Sequence, residues 1–277
     1  MPLSASGFPL PTGERDQGEG KKKRPPLLNP LPQGERRFTE RRQYTVGNKE
    51  KVKEIFNKVK AENRSYVLEH EAKEALSLYG INVTKETVCK TSEEAVKAGE
   101  KIGFPVVLKV VSPDVVHKTD SGGVIVGVKS EQELEKGFNQ IIENQKKFNP
   151  KAIIKGISVQ EMAKGEEIII GSVKDPQFGP MVMLGIGGIF VEIFKDVSYR
   201  LIPIEKIDAE EMLSELKGYP LLCGARGREK TNLESIKETL QNVSKFLLDF
   251  DEVKEMDLNP IFVNKERATV ADARIFI

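Results

Sequence analysis

An apolar run from Val106 to Leu108 delivers Lys109 into the stretch KVVSPDVVHKTDSGGVIVG, residues 109 to 127, and no other segment limits the fold as much. Pro113 has no amide hydrogen, and Gly122 and Gly123 have no side chains to pack, so a regular hydrogen-bond ladder cannot run through it. One strand must end near Lys109 and another must begin near Gly122, with a polar loop between them. The polar groups of this stretch include Lys109, Asp114, His117, Lys118, Thr119, Asp120 and Ser121. Its glycines let backbone amides approach an anion closely. A nucleotide phosphate is the expected ligand.

His117 is one of two histidines in the chain. Its imidazole can be neutral and nucleophilic near pH 7, which makes it a candidate phosphoryl acceptor. A lone loop histidine is more often only a solvated side chain, so residue type alone does not decide between the two readings.

Around this loop the pattern alternates between helix and strand periods. NKEKVKEIFNKVK, residues 48 to 60, places Val52, Ile55, Phe56 and Val59 on one helical face. Ser65 is expected to cap a helix over 66–79 that Gly80 stops, with His70 at the surface. Residues 81 to 90, 104 to 109 and 122 to 128 read as strands. A helix from Thr91 or Ser92 to Gly103 separates the first two. Ser130 and Glu133 form a capping box for a helix carrying Leu134, Phe138, Ile141 and Ile142. After Pro150, KAIIKGISVQEMA and EEIIIGSV are β-rich runs separated by Lys164 and Gly165. MVMLGIGGIFVEIF reads as a buried strand interrupted by Gly185, Gly187 and Gly188, and residues 232 to 250 as an amphipathic helix. A layered α/β (α+β) class follows.

Near the C-terminus, EMDLNPIFV sets Asp257 and Asn259 two residues apart, so an extended backbone turns both to the same side. Glu255 shares that side. Paired oxygen donors of this kind suit magnesium.

Charge adds little. The chain of 277 residues has a net charge of +1, so composition supports neither a nucleic-acid nor a membrane partner. Residues 1–47 hold the basic excess, seven of the fifteen prolines, the run KKKR and a short PLPTGER/PLPQGER repeat, and are expected to be disordered. Cys89 and Cys223 show no ligand or disulfide spacing, which points to reduced thiols and a cytoplasmic protein. No run of about 18 apolar residues occurs, so no spanning segment is expected.

The string PVVLKVVSPDVVHKTDSGGV, followed in order by QEMAKGEEIIIGSVKDPQFGPMVMLGIGGIFVEIFKDVSYRLIPI and EMDLNPIFV, resembles the ATP-grasp domain of the NDP-forming acyl-CoA synthetases. These are the ADP-forming acetyl-CoA synthetases, related to succinyl-CoA synthetase, and the resemblance spans about residues 65 to 277. It implies an ATP-grasp fold of two α+β subdomains with ATP or ADP between them. The expected organisation is a tail at 1–47, a helical lead-in at 48–64, a small subdomain with the histidine loop at 65–155 and a C-terminal subdomain with the metal ligands at 156–277.

The same resemblance assigns roles. Lys109, Gly122 and Gly123 would meet the nucleotide phosphates, and Glu161, Met162 and Ala163 the adenine, with Glu161 and Glu167 as polar contacts to base or ribose. Arg200, near Asp196, would bind phosphate. Asp257, Asn259 and Asp272 would hold Mg2+, with Asp272 inside the strand ATVADARIFI. His117 would form the phosphohistidine through which acyl-CoA, ADP and phosphate interconvert with acid, CoA and ATP. The CoA-binding half of the chemistry would sit on an alpha subunit in an α2β2 complex. Arg226 and Arg228 are open between phosphate, loop and partner contacts. A regulatory nucleotide-binding module and a stand-alone carboxylate ligase are the competing readings.

Overall fold

The computed structural model describes residues 46–115, 117–188, 195–227 and 229–277, with only the backbone of Val46 and Arg226. All but the last two residues of the tail expected to be disordered, together with Arg228, therefore lie outside the described residues, as does the Arg226 side chain. Among the described residues the chain builds a seven-stranded and a four-stranded sheet, each backed by helices on one face.

The small sheet has the order β2 (Glu86–Cys89), β5 (Gly156–Glu161), β3 (Val106–Val111), β4 (Val124–Val128), all antiparallel. Period-two alternation gives it two unlike faces. Val106, Leu108, Val110, Ile157 and Val159 are buried in one core with Ala95 and Ala98 of α3 (Ser92–Ile102) and Leu134, Phe138 and Ile141 of α4 (Glu131–Phe148). The opposite face carries Glu86, Gln160, Ser158 and Lys109, with Glu86 paired to Gln160 and Ser158 to Lys109 in register.

The large sheet runs β1 (Tyr66–Val67), β11 (Ala273–Phe276), β9 (Glu255–Val263), β6 (Glu166–Asp175), β7 (Gly179–Ile186), β8 (Val197–Leu201). Strand β10 (Ala268–Val270) pairs with the far end of β9. Its helix-covered face packs against α1 (Val46–Ala61), α2 (Glu69–Leu78), α5 (Lys206–Glu215) and α7 (Leu233–Asp249). A short α6 (Tyr219–Leu222) precedes α7. Helix α1, the expected helical lead-in, is part of this layer, because Phe56 meets Phe246 and Phe250 edge-on at 6.3 and 5.4 Å.

Several local expectations meet a tertiary competitor. Ser65 is not the cap of α2: Tyr66 and Val67 are drawn into the large sheet opposite Phe276 and Ile275, and Leu68 occupies the cap position. His70 is half-buried rather than on the surface, with Nδ1 buried and lacking a hydrogen-bond partner, and burial lowers its pKa. The strand expected over 81–90 is split, since Val83 bridges Val270 of the large sheet and only Glu86–Cys89 joins the small one. Gly156–Glu161 pairs into the small sheet although it follows the boundary expected at 155/156, and α2 packs with the large one although it precedes it. The caps of α3, α4 and α7 are made by Thr91, Ser130 and Asn232, whose side chains accept from the backbone N–H of Glu94, Glu133 and Ser235.

Candidate active site

Strand β3 delivers Lys109 to the polar face of the small sheet, where its ammonium group meets the large layer. Its Nζ donates to Glu69 Oε1 at 2.7 Å, to the carbonyl of Ala271 at 2.9 Å and to Asp272 Oδ2 at 2.9 Å. Glu69 stands in the first turn of α2, and its carboxylate is the hub. Lys73 and Gln160 donate to the same Oε1 at 2.8 and 2.7 Å, while Lys118 pairs with Oε2. Burial alone would raise the Glu69 pKa. Lys73, Lys109 and Lys118 overcome that and hold it well below the ordinary carboxylate range. Burial likewise disfavours charge on Lys109, yet Glu69 and Asp272 leave its pKa above the usual lysine value.

The histidine loop departs from this cluster. The Tyr66 hydroxyl donates to the carbonyl of Pro113 at 2.5 Å, and Asp114 Oδ2 accepts from the Ile153 N–H at 2.7 Å. His117 is exposed, and the next residue, Lys118, brings its Nζ to 3.9 Å from Asp272 Oδ2. The amides of Gly122 and Gly123, expected to face a phosphate, are spent inside the loop. They donate to the carbonyls of Thr119 and Lys118 at 3.0 and 2.7 Å. Gly122 holds φ +63, as its tight turn requires.

On the large sheet, Met256 and Leu258 point into the core, leaving Glu255, Asp257 and Asn259 on the open face. Ile168 and Ile170 of β6 face Ile261 and Leu258 of β9, so Ile169 alone stands against Asn259 and Pro260, and β9 bulges there. Beyond the bulge the inward positions change parity to Ile261 and Val263. Asp272 is not inside a continuous strand but in the gap between β10 and β11, opposite this bulge. There the Asn259 N–H donates to the Asp272 carbonyl at 3.2 Å. The structure thus brings Asn259, Asp272, Lys109 and Lys118 together.

Asp257 lies two residues farther along, directly across from Arg274 on one side and Gly171 on the other. Burial raises its pKa, Arg274 opposes that, and the carboxylates of Asp272 and Glu255 add to the rise. Beside it a hollow of about 330 Å³ is lined by Gly171, Val173, Met181, Met183 and Tyr199.

Three further expectations concern the linker and the far edge. Glu161 ends β5, its Oε2 accepting from the Lys85 N–H at 3.2 Å, and half-buried Met162 and Ala163 lead into the connection to β6. Glu167 is exposed next to that connection, its carbonyl accepting from the Gly187 N–H at 2.7 Å. Arg200 is not brought to the site. It pairs in register with buried Val182, which puts it on the helix-covered face, and binds Glu215 at 2.5 Å and Glu211 at 3.2 Å of α5. Asp196, the acidic neighbour, accepts from the N–H groups of Lys217 and Gly218 at 2.7 Å each.

Glu69, Gln160 and Glu86 escape the sequence reading. Gln160 and Ser158 alternate with Ile157 and Val159, a signal for a polar inner face; Glu69, an acid in a first helical turn, looks like ordinary dipole compensation. The donor types present suit a magnesium ion, since Asn259 and Asp272 are joined through their backbones and Asp257 shares the open face of β9 with Asn259. Among the described residues no group of three His, Cys, Asp or Glu side chains closes around a cation. Phosphate oxygens of a nucleotide would have to complete the shell.

The ATP-grasp domain family model matches residues 58–277. The beta subunit of acetate–CoA ligase (ADP-forming) I from Pyrococcus furiosus is 47% identical over 228 residues, 82% of this chain and 98% of that one. Among solved structures, the dinucleotide-forming acetyl-coenzyme A synthetase of Korarchaeum cryptofilum with coenzyme A, Ca-AMPCP and HgCl+ gives a TM-score of 0.80 at 49% identity, covering 82% of this chain and 99% of that chain. A selenomethionine derivative of that synthetase, with coenzyme A and Mg-AMPPCP, has its phosphohistidine segment pointing towards the nucleotide-binding site. It gives a TM-score of 0.73 at 45% identity, with 82% and 99% covered. The chain belongs to the ATP-grasp domain family and, within it, to the beta subunits of the ADP-forming acetate–CoA ligases.

Proposed function

We propose that this chain is the nucleotide-binding beta subunit of an ADP-forming acyl-CoA synthetase, working with a CoA-binding alpha subunit in a cytoplasmic α2β2 complex. His117 takes the γ-phosphoryl group of ATP, or returns it to ADP, and exchanges it with the partner. The observation that carries this reading is the meeting of Lys109 and Asp272 at 2.9 Å beside an exposed loop histidine whose neighbour Lys118 reaches the same carboxylate.

Phosphoryl transfer asks a protein to align donor and acceptor and to neutralise the charge on the moving group. Lys109, kept cationic by Glu69 and Asp272, supplies that charge at the polar face of the small sheet. The linker at Glu161, Met162 and Ala163, with Glu167, receives the base and ribose. The neutral imidazole of His117 attacks the γ-phosphorus; a P–N bond forms, the P–O bond to ADP breaks, and ADP leaves with the electron pair. Asn259, Asp272 and Asp257 would hold magnesium, which when bound offsets the charge of the phosphates.

Brief incubation of the chain with γ-labelled ATP and magnesium should leave acid-labile, base-stable label on wild type and none on His117→Ala. With the alpha subunit added, ADP formation should require both acid and CoA. Full turnover by His117→Ala would remove the carrier role.

A further inference from the structure

His117 stands between two unlike anchors. On its N-terminal side Val115 is 4% exposed, sunk in the core of the small layer. On its C-terminal side Lys118 crosses to Glu69 of the large layer, where the two side chains are 17% and 7% exposed. A pair so withdrawn from solvent is screened far less than a surface bridge. Glu69 is also the residue that holds Lys109. One carboxylate therefore fixes both the lysine facing the nucleotide and the residue that follows the histidine.

We propose that Lys118 and Glu69 are positioning residues for the phosphoryl transfer: their ion pair latches the histidine loop at the nucleotide end of the cleft. Opening it frees the loop to travel. The geometry allows that release without unravelling the loop, because the Lys118 carbonyl keeps its bonds from the Gly123 N–H at 2.7 Å and the Ser121 hydroxyl at 2.9 Å while the side chain lets go. Neither residue touches the reacting atoms. The proposal rests on the reading of His117 as phosphoryl carrier.

The test uses the full chain with magnesium and γ-labelled ATP, measuring the labelling rate against ATP concentration, with hydrogen exchange of the segment 112–121 alongside. Lys118→Met should label about 10-fold more slowly at saturating ATP, as expected for a misplaced acceptor, while half-saturation moves less than about 3-fold. Exchange in the loop should quicken, and Lys118→Arg should restore both. Wild-type labelling and exchange in Lys118→Met would overturn the latch, as would slow labelling that arginine fails to rescue. A wild-type chain that takes no label would instead bring down the carrier role, and the latch with it.

Discussion

Asn259 donates its backbone N–H to the carbonyl of Asp272 at 3.2 Å, at the point where β9 bulges and β10 gives way to β11. Two residues with oxygen-bearing side chains are thereby joined through their backbones, and Asp272 is also a counter-ion of Lys109. Asp272→Asn keeps the shape and an oxygen for Lys109 but removes the charge. The magnesium concentration giving half-maximal labelling of His117 should rise by about 10-fold or more. A magnesium titration with an unmoved midpoint would refute the assignment.

Arg200 gives the converse test. Its guanidinium is occupied by Glu211 and Glu215 on the covered side of the large sheet. Arg200→Ala should leave the labelling rate and its ATP dependence within about 2-fold of wild type, as expected for a substitution outside the reacting groups. A large rise in half-saturating ATP would show that the side chain leaves its glutamates for a phosphate.

The two central acids predict opposite responses to pH. Glu69 is depressed in the folded state, so the stability it contributes is complete above the ordinary glutamate pKa and is lost as pH falls through its lower folded value. Asp257 is raised, so ionising it between its ordinary and its raised value costs stability as pH rises. Urea midpoints should therefore be higher for Asp257→Asn than for wild type at neutral pH. For Glu69→Gln they should be lower at neutral pH, and the gap should close in acid.

Gly165, between β5 and β6, has φ +148, and a Cβ there would lie 2.3 Å from the Val263 carbonyl oxygen. Gly188, with φ +62, has nothing within 4 Å of such an atom. Gly188→Ala should cost about 1 kcal/mol of backbone strain. Gly165→Ala adds a collision with main chain and should cost more than about 2 kcal/mol. Equal urea midpoints for the two variants would contradict this.

Local signals carried most of the helix ends: Thr91, Ser130 and Asn232 cap as their residue types suggest, and Gly80 and Gly103 stop helices with φ +75 and +95. What failed was decided at long range. Tyr66 and Val67 lie inside the helical pattern read over 66–79 but are claimed by a strand some 210 residues later in the chain, a pairing that local periodicity cannot register. Arg200 is assigned to phosphate by the family resemblance and by guanidinium chemistry, whereas the face it occupies depends on the register of β8 against β7. Lys109, Asn259 and Asp272, which the fold brings together, and His117 all stand in segments that the sequence singles out. Glu69, which ties two of those motifs together, has no motif of its own.

The face that Lys109, Gln160 and Lys118 turn towards Glu69 and Asp272 is a seam of ammonium, amide and carboxylate groups rather than of methyl groups. Water can replace such partners one by one, whereas parting an oily joint exposes all of its area at once. The two layers can thus part along polar partners while each keeps its own oily interior closed.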